Sequence, residues 1–464
     1  MSVDQPLAAL APVRWGAATS AYQIEGAADS RQDSVWDMFC RRPDTVRGGR
    51  DGAVACDHLA HLVEDVERMA WLGLESYRFS LSWPRVLDAD GRLRPAGFDV
   101  YDELVDRLCA AGIEPWITLF HWDFPLSLFH RGGWLNRDSV DWFADYAGMA
   151  AERLGDRVRN WLTINESTCF IGLGHRVGLH APGLQLPWPE LLRIGHHVHL
   201  AHGRAVRRIR AACPQARIGR AEVGVVTIPA SEDPADIAAA RHRMFHRDER
   251  GNHNVTWWMD PPLLGRYPDD LLALYEPDMP AGWQDDMEEI GTAIDFCGTN
   301  IYHGTIWGAD ADGQPVEHPR PIGAPVSQLG WPMEPRCLYW GPKFLHERYG
   351  KPIAITENGL PVADWVAPDG SIHDQARIDF YQQNLGYLAR ACDDGVPVDT
   401  FFAWSLMDNF EWAEGYEPRF GLFHVDYADQ TRRPKASAHW YRQWIAERQG
   451  ERQQQRQRTP IHAD

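Results

Sequence analysis

Eight short apolar segments alternate with longer amphipathic segments, and this alternation restricts the possible folds more than any other feature of the sequence. The apolar segments have the length and composition of buried strands; they span residues 14–19, 76–83, 115–122, 160–166, 217–226, 295–302, 352–357 and 399–407. Helical periodicity is found between and after them, at 58–72, 98–111, 137–154, 189–212, 336–349, 374–393 and 435–447. Strands that alternate with helices pair in parallel, and eight such units predict a closed (β/α)8 barrel, the TIM barrel.

The 464 residues exceed what a minimal barrel needs, so we expect long strand-to-helix loops. No low-complexity linker divides the chain. We therefore predict one catalytic α/β barrel domain over residues 1–450. The remaining residues, 451–464, read "ERQQQRQRTPIHAD" and are strongly polar. We expect this tail to be disordered.

Composition excludes several classes of partner. The formal net charge is −19, which argues against binding to nucleic acid or to an anionic membrane. The N-terminal residues show no signal-peptide pattern, and no apolar run is long enough to span a bilayer. The eight cysteines are scattered without a C-x-x-C pair, which is typical of reduced thiols. We expect a cytoplasmic location.

In TIM barrels the active groups lie at the carboxyl ends of the strands, so the polar residues there are the candidates for chemistry. Two of them are glutamates that end an apolar strand: Glu166 in "WLTINEST" and Glu357 in "KPIAITENGL". Other candidates at strand ends are Gln23, Arg78, the "HWD" of 121–123, the "TNIY" of 299–302 and the "WSLMDNFEW" of 404–412.

The fourth and seventh strands lie nearly opposite each other in an eight-stranded barrel, so Glu166 and Glu357 are expected to converge. Paired carboxylates on either side of a glycosidic bond perform glycoside hydrolysis. One carboxyl group protonates the leaving oxygen and needs a raised pKa, which burial and a second carboxylate provide. The other acts as nucleophile, or as the base that activates water, and Arg78 and Tyr302 would favour its ionised form. A lone glutamate is more often a surface residue, but each of these ends an apolar strand beside an asparagine.

At these residues the sequence resembles glycoside hydrolase family 1, the retaining β-glucosidase family. The resemblance extends from Trp15 to about Trp444. Its motifs occur in order: "GAATSAYQIEGA", "YRFSLSWPR", "LFHWDFP", "GGWLNRD", "TINE", "HAPG", "WMDPPLLGRYP", "TNIY", "ITENG" and "WSLMDNFEWAEGYEPRFGLFHVD". Ten ordered motifs make an accidental match implausible.

The resemblance implies a role for each matching residue. Glu166 matches the acid/base, and Glu357 matches the nucleophile that forms a covalent glycosyl-enzyme. The residues that match the binding site of the terminal sugar are Gln23, His121, Asn165, Trp404 and Glu411. Those that match the wall around its far end are Trp412 and Phe420, and Trp331 matches the platform for the leaving group. Arg78 and Tyr302 match groups that bond to the nucleophile.

The resemblance also indicates that the sugar is not phosphorylated. Family members that cleave 6-phosphoglycosides have Ser at the position of Glu411, followed by Lys and Tyr that hold the phosphate. Here Glu411 would repel a phosphate, and Pro418 and Phe420 offer neither a cation nor a hydroxyl.

The chain departs from the family directly after the acid/base. The family pattern is N-E-P, often followed by Trp, whereas this chain has Asn165–Glu166–Ser167–Thr168. The loss of Pro removes a φ restraint, and the loss of Trp removes apolar surface near the leaving group. We expect an ordinary glycone pocket with an altered leaving-group side, and a hydrogen bond from Ser167 to Glu166.

The predicted function is therefore a retaining β-glucosidase that acts on terminal non-reducing β-D-glucosyl residues of small glycosides and short oligosaccharides, including those of cellulose degradation. Retention predicts carboxyl groups roughly 5–5.5 Å apart. One alternative is a transglycosidase, which uses the same two carboxylates and passes the sugar to an alcohol. Another is a catalytically silent sugar-binding barrel.

Two further patterns are too weak to predict a binding site. His196, His199 and His202 have helical spacing that can hold a metal, but they lie on an outer helix without an H-E-x-x-H motif. The "GLGHRVG" of 172–178 is similar to a dinucleotide-binding loop but does not open a βαβ unit. We expect no metal and no cofactor.

Overall fold

Eight parallel strands form a closed barrel in the computed structural model, which describes residues 7–88 and 90–458, with side chains to residue 454. Each strand pairs with the next strand of the barrel, and the last pairs with the first. We number them β1–β8: Arg14–Ala18, Ser76–Ser80, Glu114–Phe120, Asn160–Asn165, Arg217–Val223, Phe296–Asn300, Ile353–Asn358 and Val398–Trp404. The predicted fold is confirmed, and all eight strands lie where the sequence predicted them, to within a few residues.

The barrel interior is filled by side chains of alternating size. Trp116 of β3 lies edge-on to Phe296 of β6 and Phe402 of β8, with ring centroids 5.3 Å apart in both pairs. Glycine on the neighbouring strand makes room for these rings: a Cβ atom at Gly219 of β5 would lie only 2.4 Å from the ring of Phe296. This packing closes the lower part of the barrel, so a ligand can bind only at the mouth.

Helices surround the barrel, and six of the seven predicted ones are confirmed with small shifts of their ends. The α-helices are Ala21–Ile24, Val35–Cys40, Leu62–Leu72, Asp99–Ala110, Leu126–Phe129, Ser139–Leu154, Trp188–Ala212, Pro234–Phe245, Thr256–Leu264, Asp269–Tyr275, Met287–Ile290, Cys337–Tyr349, Gln375–Asp393 and Ala436–Arg458. A π-helix spans Thr168–Val177. No helix within the described ranges has both the length and the apolarity needed to cross a bilayer.

The last helix is longer than predicted. It does not end near residue 447 but continues to Arg458, so the expected disorder of the tail is corrected for residues 451–458. Contacts with the bottom of the barrel explain the extension: the Arg452 guanidinium pairs with Glu75 at 2.5 Å and donates to the carbonyls of Ala11 and Val13. Residues 459–464 of the predicted tail lie outside the described residues.

The segment predicted as one strand over 217–226 is two strands. β5 ends at Val223, and a separate strand, Val226–Pro229, joins a three-stranded sheet with Gly304–Ala309 and Pro315–His318. Gly224 lies at the break, where a Cβ atom would lie 2.5 Å from Ile301, so the chain turns away from the barrel there. A two-stranded sheet, Phe423–Asp426 with Thr431–Pro434, follows β8.

Candidate active site

A cavity of about 710 Å³ opens at the carboxyl ends of the strands. Ligand sites in proteins are usually of this size. Most of the predicted site residues line it: His121, Glu166, Tyr302, Trp331, Glu357, Trp404, Glu411, Trp412 and Phe420. Gln23, Arg78 and Asn165 are fully buried beside it and contact these residues. The structure thus brings all of the predicted site residues together.

Glu166 follows β4 in an environment that favours its protonated form. Its carboxyl Oε1 accepts a hydrogen bond of 2.7 Å from the Asn300 side-chain amide, and no Lys or Arg among the described residues pairs with it. Burial and, next, the negative charge of Glu357 raise the pKa of Glu166 to about 8, although hydrogen bonds from Asn300 and Cys169 oppose the rise. The carboxyl group is therefore able to hold a proton at neutral pH.

Glu357, in β7, is close to a cation. Arg78 donates to its Oε1 at 2.6 Å, and the Tyr302 hydroxyl donates to its Oε2 at 2.6 Å. Burial raises the pKa of Glu357 above its ordinary value, and the charge of Arg78 and the hydrogen bonds from Tyr302 and Arg78 oppose this rise. Arg78 is itself held by Thr118, which accepts from its Nε at 3.0 Å. These contacts favour an ionised carboxylate, as predicted.

Asn165 connects the two carboxyl groups. Its Oδ1 accepts from Arg78 at 2.6 Å and from Asn300 at 3.1 Å, so its amide nitrogen is turned towards His121, 3.3 Å away. The Trp122 indole fixes the backbone by donating to the Asn165 carbonyl at 2.9 Å. The amide is thus held ready to bind a ligand hydroxyl.

Asn300 was not among the predicted site residues, although it contacts Glu166 directly. It lies in the "TNIY" motif at the end of β6, from which only Tyr302 was selected. Its Oδ1 accepts from Thr356 at 2.5 Å, which fixes the amide so that Nδ2 points at Glu166. The signal that could have identified it is the one that identified Asn165, an amide at the end of a buried strand.

Polar groups suited to a hydroxyl-rich ligand form one side of the cavity. Gln23 donates to Glu411 Oε2 at 3.3 Å, and Asn409 donates to the same oxygen at 3.1 Å. Burial is the largest cause that raises the pKa of Glu411, to about 8. The His121 ring lies nearly parallel to Trp404, 5.8 Å between centroids. Donors, acceptors and an indole face together match the needs of a sugar ring.

Aromatic residues form another part of the cavity wall. Trp331 lies 5.2 Å from Tyr302, 6.2 Å from Phe420 and 5.5 Å from His303, measured between ring centroids. Trp331 is only partly buried, so part of its surface is open to a ligand. Its role as the platform for the leaving group stays a prediction.

The expectation that Ser167 bonds to Glu166 was wrong. The Ser167 N–H donates to Glu222 Oε2 at 2.7 Å, and its hydroxyl donates to Glu222 Oε1 at 2.8 Å. The backbone explains the difference: Glu166 has a φ of 49° and donates its N–H to the Ala221 carbonyl of β5 at 2.8 Å. The chain therefore turns so that Ser167 lies over the outer face of β5, away from the cavity.

The three histidines at 196, 199 and 202 point to separate partners. His196 contacts Tyr267 and Asp286, His199 contacts Arg220 and the Trp257 carbonyl, and His202 contacts Thr163. Residues 172–178 lie in the π-helix and the turn after it, where they line or border the active-site cavity.

A parallel eight-stranded barrel with two buried carboxyl groups on one cavity is typical of glycoside hydrolases. The model of glycosyl hydrolase family 1 matches residues 12–450. β-Glucosidase A of Thermotoga maritima is 41% identical over 431 residues, which cover 92% of this chain and 95% of that protein. A 1,4-β-D-glucan glucohydrolase of Thermotoga neapolitana is 40% identical over 431 residues, or 92% and 96% of the two chains.

Solved structures agree with these sequence matches. The β-glucosidase from Thermotoga maritima in complex with glucoimidazole superposes with a TM-score of 0.85 at 40% identity, covering 94% of this chain and 98% of that one. The chain belongs to glycosyl hydrolase family 1.

Proposed function

We propose that this chain is a retaining β-glucosidase in which Glu357 is the nucleophile and Glu166 the acid/base. The observation that carries the proposal is the contrast between the two carboxyl groups. Glu357 is paired with Arg78 and Tyr302, whereas Glu166 has only neutral donors and a pKa raised to about 8. Two neighbouring carboxyl groups whose pKa values differ in this way are suited to opposite roles.

In the first step the Glu357 carboxylate attacks the anomeric carbon while Glu166 gives its proton to the glycosidic oxygen. The bond between that carbon and oxygen breaks, the aglycone leaves as a neutral alcohol, and a glycosyl ester forms on Glu357. Esterification removes the negative charge of Glu357, which is one cause of the raised pKa of Glu166. The pKa of Glu166 therefore falls once the ester has formed, so Glu166 stays ionised and can act as the base of the second step.

In the second step the Glu166 carboxylate takes a proton from a water molecule that attacks the anomeric carbon. The ester bond to Glu357 breaks, and glucose leaves with its original β configuration. Both carboxyl groups return to their first protonation states. Asn165, whose amide nitrogen is held towards the cavity, is the group proposed to bond the hydroxyl at C2, an interaction that strengthens in the transition state.

The terminal sugar is proposed to be unphosphorylated β-D-glucose or a close epimer. Gln23 donates to Glu411 at the cavity wall, and Glu411 in its ionised form would repel a phosphate at C6. The relative of Thermotoga neapolitana, named a 1,4-β-D-glucan glucohydrolase, supports short β-1,4-linked oligosaccharides as substrates. On this basis we also propose a role in cellulose degradation.

A substrate panel tests the proposed function. We expect turnover of aryl β-glucosides and cellobiose and none of an aryl β-glucoside phosphorylated at C6. Aryl β-galactosides, fucosides and xylosides, with lactose beside cellobiose, measure the preference among terminal sugars. Added alcohol acceptors distinguish hydrolysis from transfer, since a transglycosidase would yield mainly alkyl glucosides. No turnover of any unphosphorylated β-glycoside would contradict the proposal and favour a silent binding barrel.

The pH dependence of kcat/KM is a first prediction. Glu166 must be protonated in the free enzyme, and burial together with the charge of Glu357 raises its pKa to about 8. We expect kcat/KM for an alkyl β-glucoside to fall as the pH rises through about 8, because the proton donor is then lost. The control is a dinitrophenyl β-glucoside, whose leaving group needs no proton and whose kcat/KM should fall less. If kcat/KM fell equally for the two substrates as the pH rose, the assignment of Glu166 as the proton donor would be contradicted.

Thr168 is proposed to alter the leaving-group side, as the sequence suggested for this position. Its hydroxyl donates to the Asn252 carbonyl at 2.5 Å, and both residues line the cavity beyond Glu166. We expect Thr168→Trp to change the ratio of kcat/KM for cellobiose over aryl β-glucoside at least several-fold. Thr168→Val, which keeps the volume and loses the hydroxyl, is the matched control and should change the ratio less. An unchanged ratio in Thr168→Trp would eliminate the hypothesis.

We also propose a reducing compartment, the cytoplasm. All eight cysteines lie within the described residues, and all eight are free thiols. Free cysteines in this number are typical of proteins kept reduced. Mass spectrometry of the native protein tests the proposed compartment. Disulfides in that protein, together with full activity after purification without reductant, would contradict it.

A further inference from the structure

We infer that Ser167, Arg220 and Glu222 form a buried network that positions the acid/base Glu166. None of the three lines the active-site cavity. They are therefore positioning residues, which act through the backbone that carries Glu166. The inference rests on the proposed function of Glu166, and it adds a reason why this carboxyl group is held in place.

The network is a closed set of hydrogen bonds on the outer face of β5. Glu222 is 2% exposed and accepts from the Ser167 N–H, the Ser167 hydroxyl and Arg220 Nε, at 2.7, 2.8 and 2.6 Å. Arg220, also buried, donates to the Ser167 hydroxyl oxygen. Ser167 therefore has both its N–H and its hydroxyl bound by one ion pair.

His199 completes the network. Arg220 donates to its Nδ1 at 3.0 Å, and its Nε2 lies 3.1 Å from the Trp257 carbonyl oxygen. Both contacts are satisfied by a neutral ring that carries its proton on Nε2. Burial and the charge of Arg220 lower the pKa of His199 well below its usual range, which agrees with the neutral form.

A buried ion pair is weak evidence for stability by itself, because desolvation of the two charges offsets their attraction. Its position is what matters here. The N–H of Glu166 bonds to the Ala221 carbonyl at 2.8 Å and the next N–H, of Ser167, bonds to Glu222. Two consecutive backbone groups at the acid/base are thus fixed to β5.

The backbone of Glu166 needs this support. Its φ of 49° lies in the left-handed region, which costs a non-glycine residue roughly 1–3 kcal/mol and persists only when the surroundings hold it. The family pattern has proline after the acid/base, which fixes φ near −65° without a hydrogen-bond partner. Ser167 has a φ of −55°, within the range of proline. The network in this chain therefore takes over the restraint that a proline ring would supply.

The test compares two substrates. In Arg220→Leu/Glu222→Leu, which removes both charges and leaves neither unpaired, we expect kcat/KM for an alkyl β-glucoside to fall on the order of tenfold or more, because a shift of about 1 Å in a catalytic group can lower rates 10²-fold. For dinitrophenyl β-glucoside, which needs no proton, kcat/KM should stay within about twofold. Rates are expressed per active site, counted with a slowly released fluoroglucoside.

A rescue variant distinguishes positioning from general damage. Ser167→Pro added to the double variant should restore most of the alkyl β-glucoside activity, since proline fixes the same φ without partners. Ser167→Ala keeps the N–H bond and loses the hydroxyl, so the ratio of kcat/KM for the alkyl β-glucoside to that for dinitrophenyl β-glucoside should fall less than in the double variant. This variant provides the test if the double variant folds poorly. The matched control is Asp260→Leu/Arg348→Leu, a partly buried ion pair on the outer helices, which should leave the ratio of the two substrates unchanged.

Failure of the inference differs from failure of the proposed function. Two results test the proposed function alone. They are turnover by the wild type and, in Glu166→Ala, a loss of kcat/KM that depends on the leaving group. If both hold and the network variants keep the wild-type ratio of the two substrates, or lose both activities equally without rescue by proline, the network does not position Glu166 and the inference is overturned.

Discussion

Replacement of Glu357 with glycine is expected to lower kcat/KM for aryl β-glucosides by on the order of 10⁴- to 10⁶-fold, as removal of a covalent nucleophile does in other enzymes. The reason is that the proposed glycosyl ester forms on Glu357. The other carboxyl groups that line the cavity, those of Glu166, Glu411 and Glu414, lack the contacts with Arg78 and Tyr302 that favour the ionised form. Steady-state kinetics with an aryl β-glucoside measures the loss.

Added azide provides the control for this prediction. Azide fits the space left by the side chain and attacks the anomeric carbon from that side, while Glu166 still donates its proton. The product should be the α-glucosyl azide. Glu357→Gln fills the same space, so azide should not rescue it. A Glu357→Gly variant that keeps wild-type activity, or yields the β-azide, would contradict the assignment of the nucleophile.

Replacement of Glu166 with alanine is expected to separate the two steps. For alkyl β-glucosides kcat/KM should fall by about 10²- to 10⁴-fold, the usual contribution of general acid–base catalysis. For dinitrophenyl β-glucoside kcat/KM should change little, because this leaving group departs without a proton. Its kcat should fall, since water then attacks the ester without a base.

Added azide again shows on which face of the sugar a carboxyl group has been removed. In Glu166→Ala azide attacks the glycosyl ester on Glu357 in place of the deprotonated water, so the product should be the β-glucosyl azide and kcat should rise. Cys169→Ala is the matched control, because Cys169 lines the same cavity close to Glu166 in the chain but carries no proton to the substrate. Equal losses for both leaving groups would show that Glu166 has another role.

Much of the fold could be predicted because the eight strands and most helices have strong periodicity and clear ends. The tail was predicted less well, since its helix depends on tertiary contacts. The residues after 450 are polar and have no apolar face that predicts a helix, but Arg452 reaches Glu75 and two backbone carbonyls at the bottom of the barrel. Contacts between positions 377 residues apart leave no local signal in the sequence.

The site was predictable where a strand end gives the position of a side chain. Glu166, Glu357 and Asn165 follow this rule, and the barrel brings them together. Ser167 does not, because its direction depends on the left-handed backbone of Glu166. Its partner Glu222 is 55 residues away and faces outwards from β5. A charged pair within an apolar strand, Arg220 and Glu222, was the available signal, since buried charges need partners.

The most direct test of the account is to trap the covalent intermediate. A dinitrophenyl β-glucoside with fluorine in place of the hydroxyl at C2 carries a leaving group good enough for the first step, while the fluorine slows the second step by destabilising the positively charged transition state. Peptide mass spectrometry of the inactivated enzyme should locate the fluoroglucosyl group on Glu357. A label on Glu166 or on any other residue, or turnover that releases α-glucose first, would contradict the account.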